Sequence, residues 1–224
     1  MVRNLNNSIK SIIITIIALI IIFFILVPIN REMGDLLSIT WIVLISLLFA
    51  MIFGFVGYIV FTYNTLVSAK NDVANSWAQI DVQLKKRMDL IPNIVDTVKG
   101  YAKHENEIFI NVTNARASLQ SATTIRDTAD ANNMLTNTLK SMFAVVENYP
   151  DLKANANFLD LQKQLSSIEQ EIANQRTVFN KFVLRYNNLC EQFPSNMIAS
   201  RYNFKVIDYF HTDDESRNVP KVKF

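Results

Sequence analysis

His104-Glu105, with Glu107 close behind, is the string in this chain that most invites a metal ion. A zincin-type site needs two histidines four residues apart on one helical face with a glutamate between them. The imidazoles then hold the zinc while the carboxylate takes a proton from its water. Position 108 is Ile, and the second histidine, His211, lies far down the chain, so the residue types are present without the spacing. A surface-capping role suits His104 better than metal ligation. Cys190 is the only cysteine, which rules out an internal disulfide and a cysteine-based zinc site. Its core-facing spacing beside Leu189 reads as a small hydrophobe and not as a nucleophile. Gly100 is isolated, with no glycine-rich loop to cradle phosphate. The residues call for no cofactor and no enzymatic reaction.

The other charges that could do work are Asp81, Arg87 and Asp89. Arg87 is placed to reach Asp81 or a neighbouring helix; a buried ion pair adds little net stability but can fix register. The alternative is a partner-binding notch at this point, although charges near helix ends are commonly structural. Lys85-Lys86-Arg87, several helical turns beyond the membrane edge, reads as a solvated face and not as a contact for anionic lipid. A net charge of +2 in 224 residues is too small to argue for nucleic acid. With four glycines and five prolines, the chain also lacks the turn residues of an all-β fold.

Two stretches near the N-terminus are apolar enough to lie in lipid, over 11–29 and 37–61. The first could be a cleaved signal peptide, but Val27-Pro28-Ile29-Asn30 offers no small-residue cleavage site, which favours a retained span. A hairpin of two spans with a short hydrophilic turn would put both ends on one side. Arg3, Lys10 and Lys70 against Arg31, Glu32 and Asp35 place those ends in the cytoplasm. Ser46, Ala50 and Gly54 form a stripe of small side chains at four-residue spacing, suited to close helix packing in the membrane, against the first span or a second copy. Neither span carries an ionisable residue, which argues against transport.

Beyond Asn64 the pattern turns to amphipathic helix. Leu66, Val73, Trp77, Ile80 and Leu84 share one face, with Ala74 as the small residue on the buried side. Pro92 predicts a turn or strong kink over 87–92, with Asp89 as an N-cap. A second helix carries Ile94, Val98, Tyr101, Ile108, Val112, Ala115 and Leu119 inward. The polar stretch 121–133 reads as a loop. A third helix carries Leu135, Leu139, Met142, Val146 and Tyr149, and the longest presents Phe158, Leu161, Leu165, Ile168, Ile172, Phe179, Phe182, Tyr186 and Leu189. A short amphipathic segment folds back through Met197, Ile198, Tyr202 and Phe204. Long helices with short connections make an antiparallel bundle with coiled-coil-like spacing. The expected organisation is all-α: a membrane anchor over 1–62, as one transmembrane helix or a helical hairpin, a four-helix bundle over 63–210, and a disordered tail over 211–224.

Several strings occur in order: Tyr63-Asn64-Thr65-Leu66-Val67, Trp77, Ile80-Asp81-Val82-Gln83-Leu84, Asp89-Leu90-Ile91-Pro92-Asn93, Val98-Lys99-Gly100-Tyr101-Ala102, His104-Glu105, Ala115-Arg116-Ala117, Tyr149-Pro150-Asp151-Leu152-Lys153-Ala154, Asn180, Tyr186-Asn187, Phe193-Pro194 and Tyr209-Phe210. Over 63–210 the chain resembles the LemA family. The resemblance implies a bacterial protein of the cell (inner) membrane, with a cytoplasmic four-helix bundle and no established reaction. It also points to membrane organisation, with other envelope proteins, such as a membrane peptidase, or a second copy as partners beside the lipid bilayer. A second apolar segment departs from the usual single anchor. Candidate structural or partner-binding residues are Trp77, Asp81, Arg87, Asp89, Pro92, Asn93, His104, Glu105 and Arg116. The expected role is a non-enzymatic membrane-anchored scaffold; the rivals are a membrane-coupled signalling module and an accessory factor to a membrane peptidase.

Overall fold

The computed structural model describes residues 36–211, so the first apolar stretch, 11–29, and the tail beyond His211 lie outside the described residues. The helices, in chain order, are α1 (Leu36–Lys99), α2 (Asn106–Ser121), α3 (Ile125–Val146), α4 (Pro150–Lys153), α5 (Ala156–Glu191) and α6 (Ser195–Arg201). The described residues contain no strand. The chain divides into two compact units, Met1–Ser68 with Leu189–Phe204, and Ala69–Asn188 with Lys205–Phe224.

In the first unit, α1 carries Trp41, Leu44, Leu47, Phe49, Met51, Phe53, Phe55 and Val60 exposed. So continuous an apolar surface is far larger than a soluble protein tolerates, and lipid is the solvent that suits it. Gly54, in the small-residue stripe, has nothing within 4 Å of where a Cβ would stand. Just past the apolar run, the Tyr63 ring meets Tyr202 at 4.9 Å and Phe204 at 5.8 Å, both edge-on. The chain turns there because α6 ends in a Schellman motif. Asn203 adopts φ 59, and the amides of Phe204 and Asn203 bond to the carbonyls of Ala199 at 2.9 Å and Ser200 at 3.2 Å. Asparagine is one of the few residues that occupies the left-handed region readily.

The second unit is built on sevenfold spacing. In α1 the buried side chains Val73, Ile80, Arg87 and Ile94 recur every seven residues, and Leu84, Ile91 and Val98 form a parallel row. In α5 the row is Phe158, Leu165, Ile172, Phe179 and Tyr186; in α3 it is Asn132, Leu139 and Val146. Such rows keep one seam facing its neighbours over many turns. Asp72, Trp77 and Arg87 ascend α1 while their partners Arg185, Phe179 and Glu169 descend α5.

Five expectations need correction. The kink over 87–92 is absent: α1 continues through Pro92 to Lys99, and Asp89 is an exposed mid-helix residue instead of a cap. The real break falls at Gly100–Glu105, so the second helix starts only at Asn106, and Tyr101 is exposed. The supposed loop over 121–133 is mostly helix. Thr124 caps α3 by accepting the Asp127 amide at 3.1 Å, and Thr128, Ala129, Ala131 and Asn132 are buried. Short polar residues suggest a loop only when nothing packs against them. Ala74 is exposed and Ser76 is the small buried residue, its hydroxyl donating to the Val73 carbonyl at 2.8 Å. In the returning segment Ile198 is buried, but Met197 and Tyr202 are exposed.

Candidate functional site

Arg87 occupies a buried seam position where the heptad pattern would place an aliphatic residue, and only 1% of its side chain is exposed. Such a charge is tolerated only when its donors are satisfied. Nη1 donates to Asn132 Oδ1 at 2.6 Å, and Nη2 donates to Thr136 Oγ1 and Glu169 Oε1, each at 2.9 Å. The Thr136 hydroxyl spends its proton on the Asn132 carbonyl at 3.0 Å, leaving its lone pairs toward the guanidinium. One side chain of α1 therefore ties together α3 and α5. Burial pulls the Arg87 pKa below the ordinary arginine range, and the Glu169 charge offsets part of that shift. Nε has no partner among the described residues. Asp81, the other partner expected for Arg87, is exposed.

One turn further, Pro92 explains itself. Its missing N–H deprives the Met88 carbonyl, four residues back, of its helical donor. Arg116 of α2 supplies the replacement, Nε donating to that carbonyl at 2.9 Å. The proline thus creates an acceptor on the side of α1 and the arginine fills it, so helix continuity and the docking of α2 are one feature. Pro92 and Asn93 are themselves exposed.

The remaining candidates scatter. His104 is exposed in the turn before α2. Glu105 accepts a hydrogen bond from the Tyr149 hydroxyl at 3.2 Å, and the Tyr101 hydroxyl accepts from Asn155 Nδ2 at 3.0 Å. These bonds pin the 100–105 turn to the connection preceding α5. Partial burial first, then the Glu105 hydrogen bond and charge, hold the Tyr149 phenol above the ordinary tyrosine range. A raised phenol pKa means that the folded state keeps its proton longer. Its contribution to stability is therefore fully present below the ordinary tyrosine pKa and lost as pH rises from there through the raised folded-state value. Glu105→Gln should lower the Tyr149 titration toward ordinary values, read from its ring carbon shifts against pH. Among the described residues no group of three or more His, Cys, Asp or Glu could hold a metal.

The sequence reading missed a second cluster. Residues 205–210 run extended along α5, held by two asparagines one heptad apart. Asn187 accepts the Ile207 amide and donates to the Ile207 carbonyl, both at 2.9 Å. Asn180 accepts the Phe210 amide at 2.9 Å and donates to its carbonyl at 3.1 Å. The Phe210 ring, buried, stands 5.9 Å from Trp77, which also meets Phe179 at 5.3 Å. Asn180, Asn187 and Tyr209-Phe210 were visible as conspicuous strings, but nothing in their spacing linked them. Asn187→Asp keeps the acceptor and turns the donor into an acceptor facing the Ile207 carbonyl. A loss of about 1–3 kcal/mol at this contact follows. Faster amide exchange at Ile207 than in the parent protein would register it.

Together these features define an all-helical protein with one described helix long and apolar enough to cross a membrane. The LemA family matches residues 76–224, well over half of the chain, and the chain belongs to that family. It is 23% identical to Protein LemA of Metamycoplasma hominis over 167 residues, covering 72% of this chain and 76% of that one. It is 22% identical to Magnetosome protein MamQ of Magnetospirillum gryphiswaldense over 183 residues, covering 70% and 67%. It is also 23% identical to Magnetosome protein MamQ 2 of Paramagnetospirillum magneticum over 182 residues, again covering 70% and 67%.

Proposed function

We propose that this protein is a non-enzymatic, membrane-tethered scaffold that presents helical surfaces to other proteins of the bacterial envelope. One observation carries the reading: the helix whose N-terminal part is bare and apolar is also the helix whose Arg87 locks α3 and α5. The Arg87 constellation is spent on holding helices together. The descending order of partners along α5 supports an antiparallel packing of α1 and α5, and with α2 and α3 a four-helix bundle over 63–210. In this reading the anchor occupies 1–62, crosses the inner membrane with its ends in the cytoplasm, and leaves 211–224 as a tail. Magnetosome relatives favour a role in membrane organisation. A membrane peptidase and a second copy of the chain are the partners to test first. An open cleft between α2 and α3, bordered by Asn111, Asn114 and Met134, is one surface a partner could use.

A signalling role is the second reading, favoured by the unbroken course of α1 through Tyr63. Affinity recovery from detergent-solubilised native membranes separates the outcomes. Scaffolding yields a stoichiometric hetero- or homo-oligomeric assembly that persists whatever the stimulus, and signalling yields an assembly that changes with one. A monomer recovered without a partner under all conditions contradicts both.

A further inference from the structure

The first unit contains a second apolar surface far along the chain from the apolar helix. Phe193 is 79% exposed, Met197 65% and Tyr202 52%. Ile198 and Ala199, on the other side of α6, are buried, so α6 has one covered face and one bare face. Met197 and the exposed Arg201 lie one turn apart and therefore share the bare face. Apolar side chains beside an arginine are the pattern of a segment lying in the headgroup region, where the cation reaches phosphate and the rings reach the acyl boundary.

The place of this surface decides its occupant. Tyr202 and Phe204 pack on Tyr63, just beyond the last apolar residue of the α1 run, Phe61. At roughly 1.5 Å per residue, the run from Leu36 to Phe61 exceeds the roughly 30 Å hydrocarbon core, which puts Tyr63 at the interface. Tyrosine prefers that level because its ring is apolar and its hydroxyl is not. The ring contacts then hold the end of the α6 connector at the same depth.

We propose that the 192–202 connector lies in the interfacial layer of the bilayer that α1 enters, with Phe193, Met197 and Tyr202 as its lipid-facing side chains. The connector meets α1 at Tyr63, just past the exposed apolar run, and the proposal rests on the reading that α1 crosses the membrane. The chain therefore touches the bilayer twice, through the anchor and through the 192–202 connector.

The test uses the full chain in phosphatidylcholine vesicles, with Cys190→Ser and an environment-sensitive fluorophore on Phe193→Cys, Met197→Cys or, as reference, Phe53→Cys. The labels at 193 and 197 are expected to be quenched by nitroxide lipids labelled near the headgroup as strongly as the label at 53 is quenched by deeply labelled ones. They are also expected to resist aqueous iodide. Labels at 193 and 197 quenched by iodide alone, or shielded from both quenchers by protein, overturn the proposal while the label at 53 still reports a span. An unquenched label at 53 overturns the span and the proposal with it. Photoreactive lipid on the unsubstituted chain gives an independent readout: adducts on the peptide carrying Phe193 and Met197 support the contact, and their absence beside adducts on the α1 apolar run overturns it.

Discussion

Glu169→Ala is expected to destabilise the helical core by about 2–3 kcal/mol, more than Arg87→Met, which removes the buried charge itself. The asymmetry follows from where each partner sits. Arg87 is 1% exposed and Glu169 41%, so losing the carboxylate leaves a buried cation without its counter-charge. Losing the cation leaves a carboxylate that water can reach. Solvent screens part of the pair, which keeps the cost near the low end for buried ion pairs. Methionine fills much of the space of arginine without a charge to desolvate, although Asn132 and Thr136 lose a donor. Chemical unfolding of the detergent-solubilised protein, followed by circular dichroism, measures both. If Arg87→Met costs more than Glu169→Ala, the node contributes through shape and hydrogen bonds and not through charge compensation.

The second large effect concerns Pro92. Arg116→Met should cost about 1–3 kcal/mol, because the Met88 carbonyl loses the donor that replaces the missing helical N–H. In a Pro92→Ala background the cost should fall to within about 0.5 kcal/mol, since alanine restores the helical N–H. Pro92→Ala alone should stabilise by about 1–3 kcal/mol, less than the full interior-proline penalty where Arg116 already compensates it. The four proteins form a double-mutant cycle, and equal costs of Arg116→Met in both backgrounds would deny the coupling.

The same two sites show what the sequence could and could not disclose. The sevenfold rows of α5 and the apolar face of α1 are local patterns, and they lie where periodicity puts them. Arg87 belongs to the row Val73, Ile80, Arg87, Ile94, so its burial was legible to a strict count even though its charge argued for solvent. Its partners were not legible, because Asn132 sits in the polar stretch read as a loop, and no local pattern links Thr136 or Glu169, on other helices, to position 87. Pro92 misled for a related reason. The local rule that proline breaks a helix holds unless another element supplies the lost donor, and Arg116 lies on a different helix. The asparagine clamp on 205–210 is equally non-local, joining side chains of α5 to backbone well beyond its end. The exposed Met197 and Tyr202 are visible in the sequence only as apolar members of an amphipathic segment, which suggested burial.

Hydrogen exchange along α1 in the full-length protein, embedded in lipid, tests the central claim most directly: that one unbroken helix carries both the lipid-exposed apolar stretch and the Arg87 node. Continuous slow exchange is expected across 62–99, including Asp89, Leu90 and Ile91 just before the proline. A fast-exchanging window over 87–93, flanked by protected segments, would show two helices meeting at a hinge and would contradict that claim.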